Sequence, residues 1–219
     1  MDRLKECALS FQKLFGTDYV ISAQKADSII HVTVVFTAKQ FFHLIGLNKL
    51  IDIPEFNNPS RQNIFERILN GEINYYTIKN SKFIESVNER MKYFSQIESL
   101  LNNDIILKFN QRKAHSTINA TILLYQKQDG VYLHLFLNSL NSNSNIIIPC
   151  SFFPRNDNKY IMHQEVYKVL SIQKVIRKSL IRGKEQSVPS LTSRLASAHE
   201  KAEQINQNNN QPKSTNKER

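Results

Sequence analysis

The chain has 219 residues, two cysteines, no tryptophan and a formal net charge of +10. That length closes one sizeable core but hardly two, and no stretch nears the roughly 18 consecutive apolar residues of a membrane span. Cys7 and Cys150 stand in neither a CxxC nor a Cys/His cluster, which excludes a multi-disulfide scaffold and a structural zinc site. A soluble, basic, cytoplasmic protein is expected, with one domain over 1–183 and a polar, largely disordered tail over 184–219, rich in Ser, Asn, Gln and Lys.

The first segment, MDRLKECALSFQKLF, mixes charges into an amphipathic helical pattern to about Phe15 and is neither a signal peptide nor an anchor. Tyr19 to Ser22 and Ile29 to Thr37 read as strands, the second rich in β-branched residues. AKQFFHLIGLNKL reads as a helix, and Asn58 to Leu69 as another that ends at Gly71. Ser81 to Leu101 predicts one long helix. Its apolar positions Phe83, Val87, Phe94, Ile97 and Leu101 keep helical spacing only when position 90, an arginine, is included.

Period-two alternation follows. Ile118, Ala120, Ile122 and Leu124 mark one strand. Val131, Leu133, Leu135 and Leu137 mark the next, with Tyr132, His134, Phe136 and Asn138 on its other face and QKQDG as the connecting turn. Ile146 to Phe153 suits a central strand, and Met162 to Arg182 reads as a helix followed by a strand. Helices early and strands late predict an α+β domain, with N-terminal helices packed on a mainly antiparallel sheet.

Charge is concentrated in the body of the chain. From Gly183 onward six basic and four acidic residues leave only +2, so +8 belongs to the remainder. The densest stretch is Arg155 to Arg182, where seven cations meet only Asp157 and Glu165. It reads either as a phosphate-binding face or as solvated surface charge.

Several blocks occur in a telling order: FHLIGLNKLID (Phe42 to Asp52), ILNGEI (Ile68 to Ile73), IKNSKF (Ile78 to Phe83), STINA (Ser116 to Ala120) and SFFP (Ser151 to Pro154), then Tyr160 and Gln164. Together they resemble the PBECR group of phage and mobile-element nuclease-like domains, named for barnase, EndoU, colicin and RelE. The resemblance implies a barnase/RelE-like fold and RNA cleavage without metal or other cofactor. In that chemistry a base activates the 2′-hydroxyl, an acid protonates the leaving oxygen and cations hold the phosphate. It also implies RNA or another nucleic acid as partner and a toxin role, with a protein antitoxin or host protein as a further partner; no membrane partner is expected, since no apolar stretch is long enough to span one. The alternative is a catalytically silent member that binds nucleic acid or a host protein in defence, counter-defence or element transfer. The family pattern often has an acidic residue after the STINA alanine. Thr121 stands there instead, which favours the silent reading.

The candidate catalytic residues are His43, Arg90 and Ser116, each with a structural counterpart. Arg90 on the apolar seam is a phosphate clamp or half of an ion pair with Glu85 or Asp104. His43 is an acid/base or a core histidine. Ser116 bonds phosphate or caps a turn. Lys49, Ser151, Tyr160, Arg155 and Lys174 are the candidate substrate-binding residues, with His134 and Tyr132 behind them. No P-loop, GxGxxG, nucleophile elbow or HExxH is present.

Overall fold

Asp2 starts the fold. One carboxylate oxygen accepts from the amides of Leu4 and Lys5 and so caps α1 (Arg3–Gln12), while the other accepts from the amide of Tyr75 at 2.8 Å. The computed structural model describes residues 2–57, 59–141 and 144–177; the expected tail, and the end of the domain beyond 177, lie outside the described residues.

Among the described residues five further helices follow: α2 (Ala38–Leu44), α3 (Arg61–Asn70), α4 (Tyr75–Ile78), α5 (Glu85–Tyr93) and α6 (Ile97–Leu100). Thr37 and Gln40 form a capping box at the start of α2. The helix expected through Leu50 stops early because Gly46 takes φ +91°, a conformation suited to glycine, and a 3₁₀ turn at Leu47–Lys49 completes the segment. The long helix expected from Ser81 to Leu101 is likewise broken. A 3₁₀ turn at Phe94–Gln96 separates α5 from α6. The buried Phe94 ring there meets Phe11, Phe41 and Phe152, so core packing overrides helical continuity.

Seven strands form the sheet: β1 (Thr17–Lys25), β2 (Ser28–Val35), β3 (Ile105–Lys108), β4 (Ile122–Gln128), β5 (Val131–Ser139), β6 (Ile146–Arg155) and β7 (Glu165–Ile176). Their order is β1-β2-β6-β5-β4-β3-β7, with β7 returning to β1, so the mainly antiparallel sheet closes on itself. The parallel seam joins Thr33 to Ile146 and Val34 to Ile147. The β4–β5 hairpin is as expected: Asp129 and Gly130 both have positive φ, the geometry of a tight two-residue turn. The end of the sheet departs from expectation. No helix precedes β7; residues 159–163 are turn, and the chain from Glu165 pairs with both β1 and β3.

The sheet separates two cores. Leu133, Leu135 and Leu137 face inward with Phe152 and the helices in the larger one. On the outer face Phe136 joins Leu107, Phe109, Ala114, Ala120 and Leu123 in a smaller one. Among the described residues no helix is long and apolar enough to cross a membrane.

Candidate active site

Arg90 lies on α5 between the buried Val87 and Met91, where an aliphatic residue would continue the seam. Its Nε donates to the Phe152 carbonyl at 2.8 Å and its Nη1 to the Ser86 carbonyl. Neither Glu85 nor Asp104 pairs with it, and among the described residues no carboxylate lies within 4.0 Å. Burial pushes its pKa below the ordinary value, yet a guanidinium retains its charge. Two carbonyls therefore fix the group without neutralising it, and among the described residues three of its five N–H donors have no partner. Gly46 makes room for this arrangement. A Cβ there would stand 3.1 Å from both Cδ and Nη1 of Arg90.

Arg90 lines an open cleft of about 390 Å³, with Lys49, Glu89, Ser151, Arg155 and Tyr160 also in its walls. Five residues proposed from sequence thus meet: Lys49, Arg90, Ser151, Arg155 and Tyr160. A β-bulge orients one wall. The β5–β6 register shifts between Phe136 and Leu137, leaving Cys150 as the extra residue, and Ser151 pairs with the outward Phe136. Tyr160 is flanked by Arg155 and Lys159, each 5.6 Å from its ring centroid. Asp157 holds Arg155 in place, and that contact keeps the carboxyl below its usual range.

His134 lies beneath the cleft. It is fully buried, stacked on Phe153 at 5.6 Å and edge-on to Tyr160 at 5.7 Å. Among the described residues neither ring nitrogen has a partner in full hydrogen-bonding geometry; burial outweighs the nearby Phe153 and Tyr132 backbone groups, which act to raise the pKa, and pushes it down to about 4.

His43 opens on a second cleft of about 550 Å³, shared with Lys39, Arg61, Leu140, Ile148 and Pro149. Its pKa is held below the ordinary value by burial first, then by the charges of Arg61 and Lys49; the Asn48 side chain acts in the opposite direction. Ser116 accepts from the Ile118 amide at 3.0 Å, the turn arrangement. Lys174 lies outside the Arg90 cleft, bonded to Glu98 at 2.9 Å and 5.4 Å from the Tyr19 ring centroid. Tyr132 takes Lys127 over its ring. Thr121 lines hollows near Ser139 and is absent from the walls around Arg90.

Sequence reasoning missed Glu89, the carboxylate in the Arg90 cleft, which is ion-paired with Lys92. Its place immediately before the seam arginine was the available signal. It also missed Lys39 and Arg61, each beside a helix start with nothing in the local pattern to mark it. Among the described residues no group of three or more His, Cys, Asp or Glu side chains gathers as a metal-ligand set.

A family model described as phage-Barnase-EndoU-ColicinE5/D-RelE like nuclease, group 4 (PBECR4), matches residues 3–181. No curated protein and no solved structure matches the chain.

Proposed function

Since the chain belongs to the phage-Barnase-EndoU-ColicinE5/D-RelE like nuclease family, we propose that its Arg90 cleft cleaves RNA by metal-independent transesterification. The observation that carries this reading is a guanidinium without a carboxylate partner among the described residues, fixed by the Ser86 and Phe152 carbonyls and sharing a cleft with Lys49, Ser151 and Tyr160. Such a preorganised cation favours the extra charge of a pentavalent phosphorus transition state.

In this scheme Glu89 takes the 2′-hydroxyl proton. The 2′-oxygen bonds to phosphorus, the bond to the 5′-oxygen breaks, and Tyr160 supplies the proton that the departing oxygen needs. Arg90 and Lys49 offset the phosphate charge, Arg155 being already paired with Asp157, and the Ser151 hydroxyl donates to a non-bridging oxygen. The products are a 2′,3′-cyclic phosphate and a free 5′-hydroxyl. His43 serves the flanking cleft, one turn of chain from Lys49. Uncontrolled cleavage of cellular RNA would make the protein a toxin. An antitoxin covering the cleft would have to bring carboxylates to Lys49 and Arg90.

The test is incubation of the purified protein with labelled total RNA in EDTA. Fragments ending in 2′,3′-cyclic phosphate are expected, with the rate reduced about 10²–10³-fold in Arg90→Ala and strongly in Glu89→Gln while both variants melt cooperatively. Loss in His43→Ala but not Glu89→Gln would move the base to the imidazole. The Glu89–Lys92 pair, which occupies the carboxylate proposed as base, favours a second reading, a silent nucleic-acid-binding member. Intact RNA, with binding that weakens steeply as salt rises, would support it.

A further inference from the structure

We infer that the Arg90 and His43 clefts are two stations of one groove that takes single-stranded RNA across several nucleotides. The scissile phosphate sits at Arg90, a neighbouring base lies on the Leu140–Ile148–Pro149 wall, and a further phosphate meets Arg61 and Lys39. This inference rests on the function proposed above and extends it from a single phosphodiester to a polymer.

Continuity comes from two shared walls. Along β6, Ile148, Pro149 and Cys150 line the His43 cleft, and Ser151, Phe153, Pro154 and Arg155 line the Arg90 cleft. These residues follow one another along one strand, a path of about 20 Å at strand rise. Across the groove, His43 precedes the Gly46 turn and Lys49 follows it, so one short segment contributes to both clefts.

The second cleft has the chemistry of a nucleotide site. Among the described residues no carboxylate lines it, and Lys39 and Arg61 form no ion pair. Charge complementarity therefore selects an anion. The wall between these cations and the bulge is apolar, and Leu140 is 53% exposed, a large aliphatic surface left in water. A polyanion that also presents flat apolar faces satisfies both halves. Bases in a duplex bury their faces in the stack, whereas single-stranded bases are free to lie on such a wall.

The test is binding of 2′-O-methyl oligonucleotides, which lack the attacking hydroxyl, to the full chain and its variants. A single-stranded octamer should bind about tenfold or more tighter than a dinucleotide and than an octamer duplex, as added stacking and phosphate contacts require. Arg61→Ala and Leu140→Ser, both at exposed positions, should each weaken the octamer about three- to tenfold. They should weaken the dinucleotide by less than about twofold, since it cannot reach the second station. Arg90→Ala should weaken both ligands. Octamer affinity unchanged in Arg61→Ala and Leu140→Ser overturns the extended groove, even if Arg90→Ala still loses binding. Equal affinity for duplex and single strand overturns the single-strand assignment. Arg90→Ala binding both ligands like the wild type removes the underlying site, a separate failure.

Discussion

The two faces of the β5–β6 ladder are built on different principles. Inside, Leu133, Leu135, Leu137 and Phe152 join Phe11, Phe41 and Phe94 in a core that is almost entirely apolar. Outside, Phe136 and Phe153 enclose an imidazole whose nitrogens have no partner in full hydrogen-bonding geometry among the described residues, and Tyr160 carries two cations over its ring. The inner face maximises burial, which is non-directional and stabilises in proportion to apolar area. The outer face accepts a poorly satisfied polar group directly beneath the cleft that holds Arg90. The contrast separates the part of the molecule that supports the fold from the part where stability has been given up beside the candidate site.

The strongest way to sharpen that contrast is Phe94→Ala, which should cost about 3–5 kcal/mol of unfolding free energy. The loss should appear in denaturant melts without change in the oligonucleotide preference of the remaining folded protein.

Acid is the next lever. His134 has a folded pKa of about 4 against 6.5 for an unperturbed group, so between these values the unfolded chain binds the extra proton. Its contribution is fully present above pH 6.5 and is lost as pH falls toward 4, on the order of 3 kcal/mol in all. His43, whose pKa is also lowered, acts in the same direction. Urea melts at pH 7.5 and pH 5 should show the loss, and His134→Phe should shrink the gap between them. At pH 7.5 the same variant should be at least as stable as the wild type, because it replaces a poorly satisfied buried polar group by an apolar ring of similar shape. Equal pH sensitivity in the variant would refute the contrast drawn between the two faces.

Gly46→Ala should cost about 1–3 kcal/mol from the left-handed backbone alone. It should reduce cleavage more than stability, since the new methyl lands against the Arg90 guanidinium. The smallest effect belongs to Thr121→Asp. The position is exposed and away from the Arg90 cleft, so stability should stay within about 0.5 kcal/mol and the cleavage rate should be unchanged. A rise in cleavage would show that the acidic residue of the family pattern acts from outside this cleft.

Much of the fold was legible where local chemistry decides it. Asp129–Gly130 announced a hairpin, Gly71 a helix end and the β5 alternation two opposed faces. What escaped depends on distant partners. β3 has four residues, too few for a periodic signal, and is stabilised by pairing with β4 and β7. The run after Met162 became strand because β1 and β3 flank it, and the seam of Ser81 to Leu101 broke because Phe94 turns into the core. In the site, the interruption of an apolar seam singled out Arg90, but its carbonyl partners come from Ser86 and the distant Phe152. Lys174 belonged to a dense basic stretch and faces Tyr19 and Glu98 instead. Density along the chain is no measure of convergence in space.

The parallel seam between β2 and β6 has a kinetic consequence. The hairpins β1–β2 and β4–β5 join neighbours in sequence, whereas Thr33 and Val34 must find Ile146 and Ile147 across most of the domain. Closing so long a loop for so few contacts places ring closure late in folding. The same short zipper sets the order of breathing: the Thr33 amide, bonded to the Asn145 carbonyl, should exchange its hydrogen sooner than amides at the centre of the β4–β5 ladder.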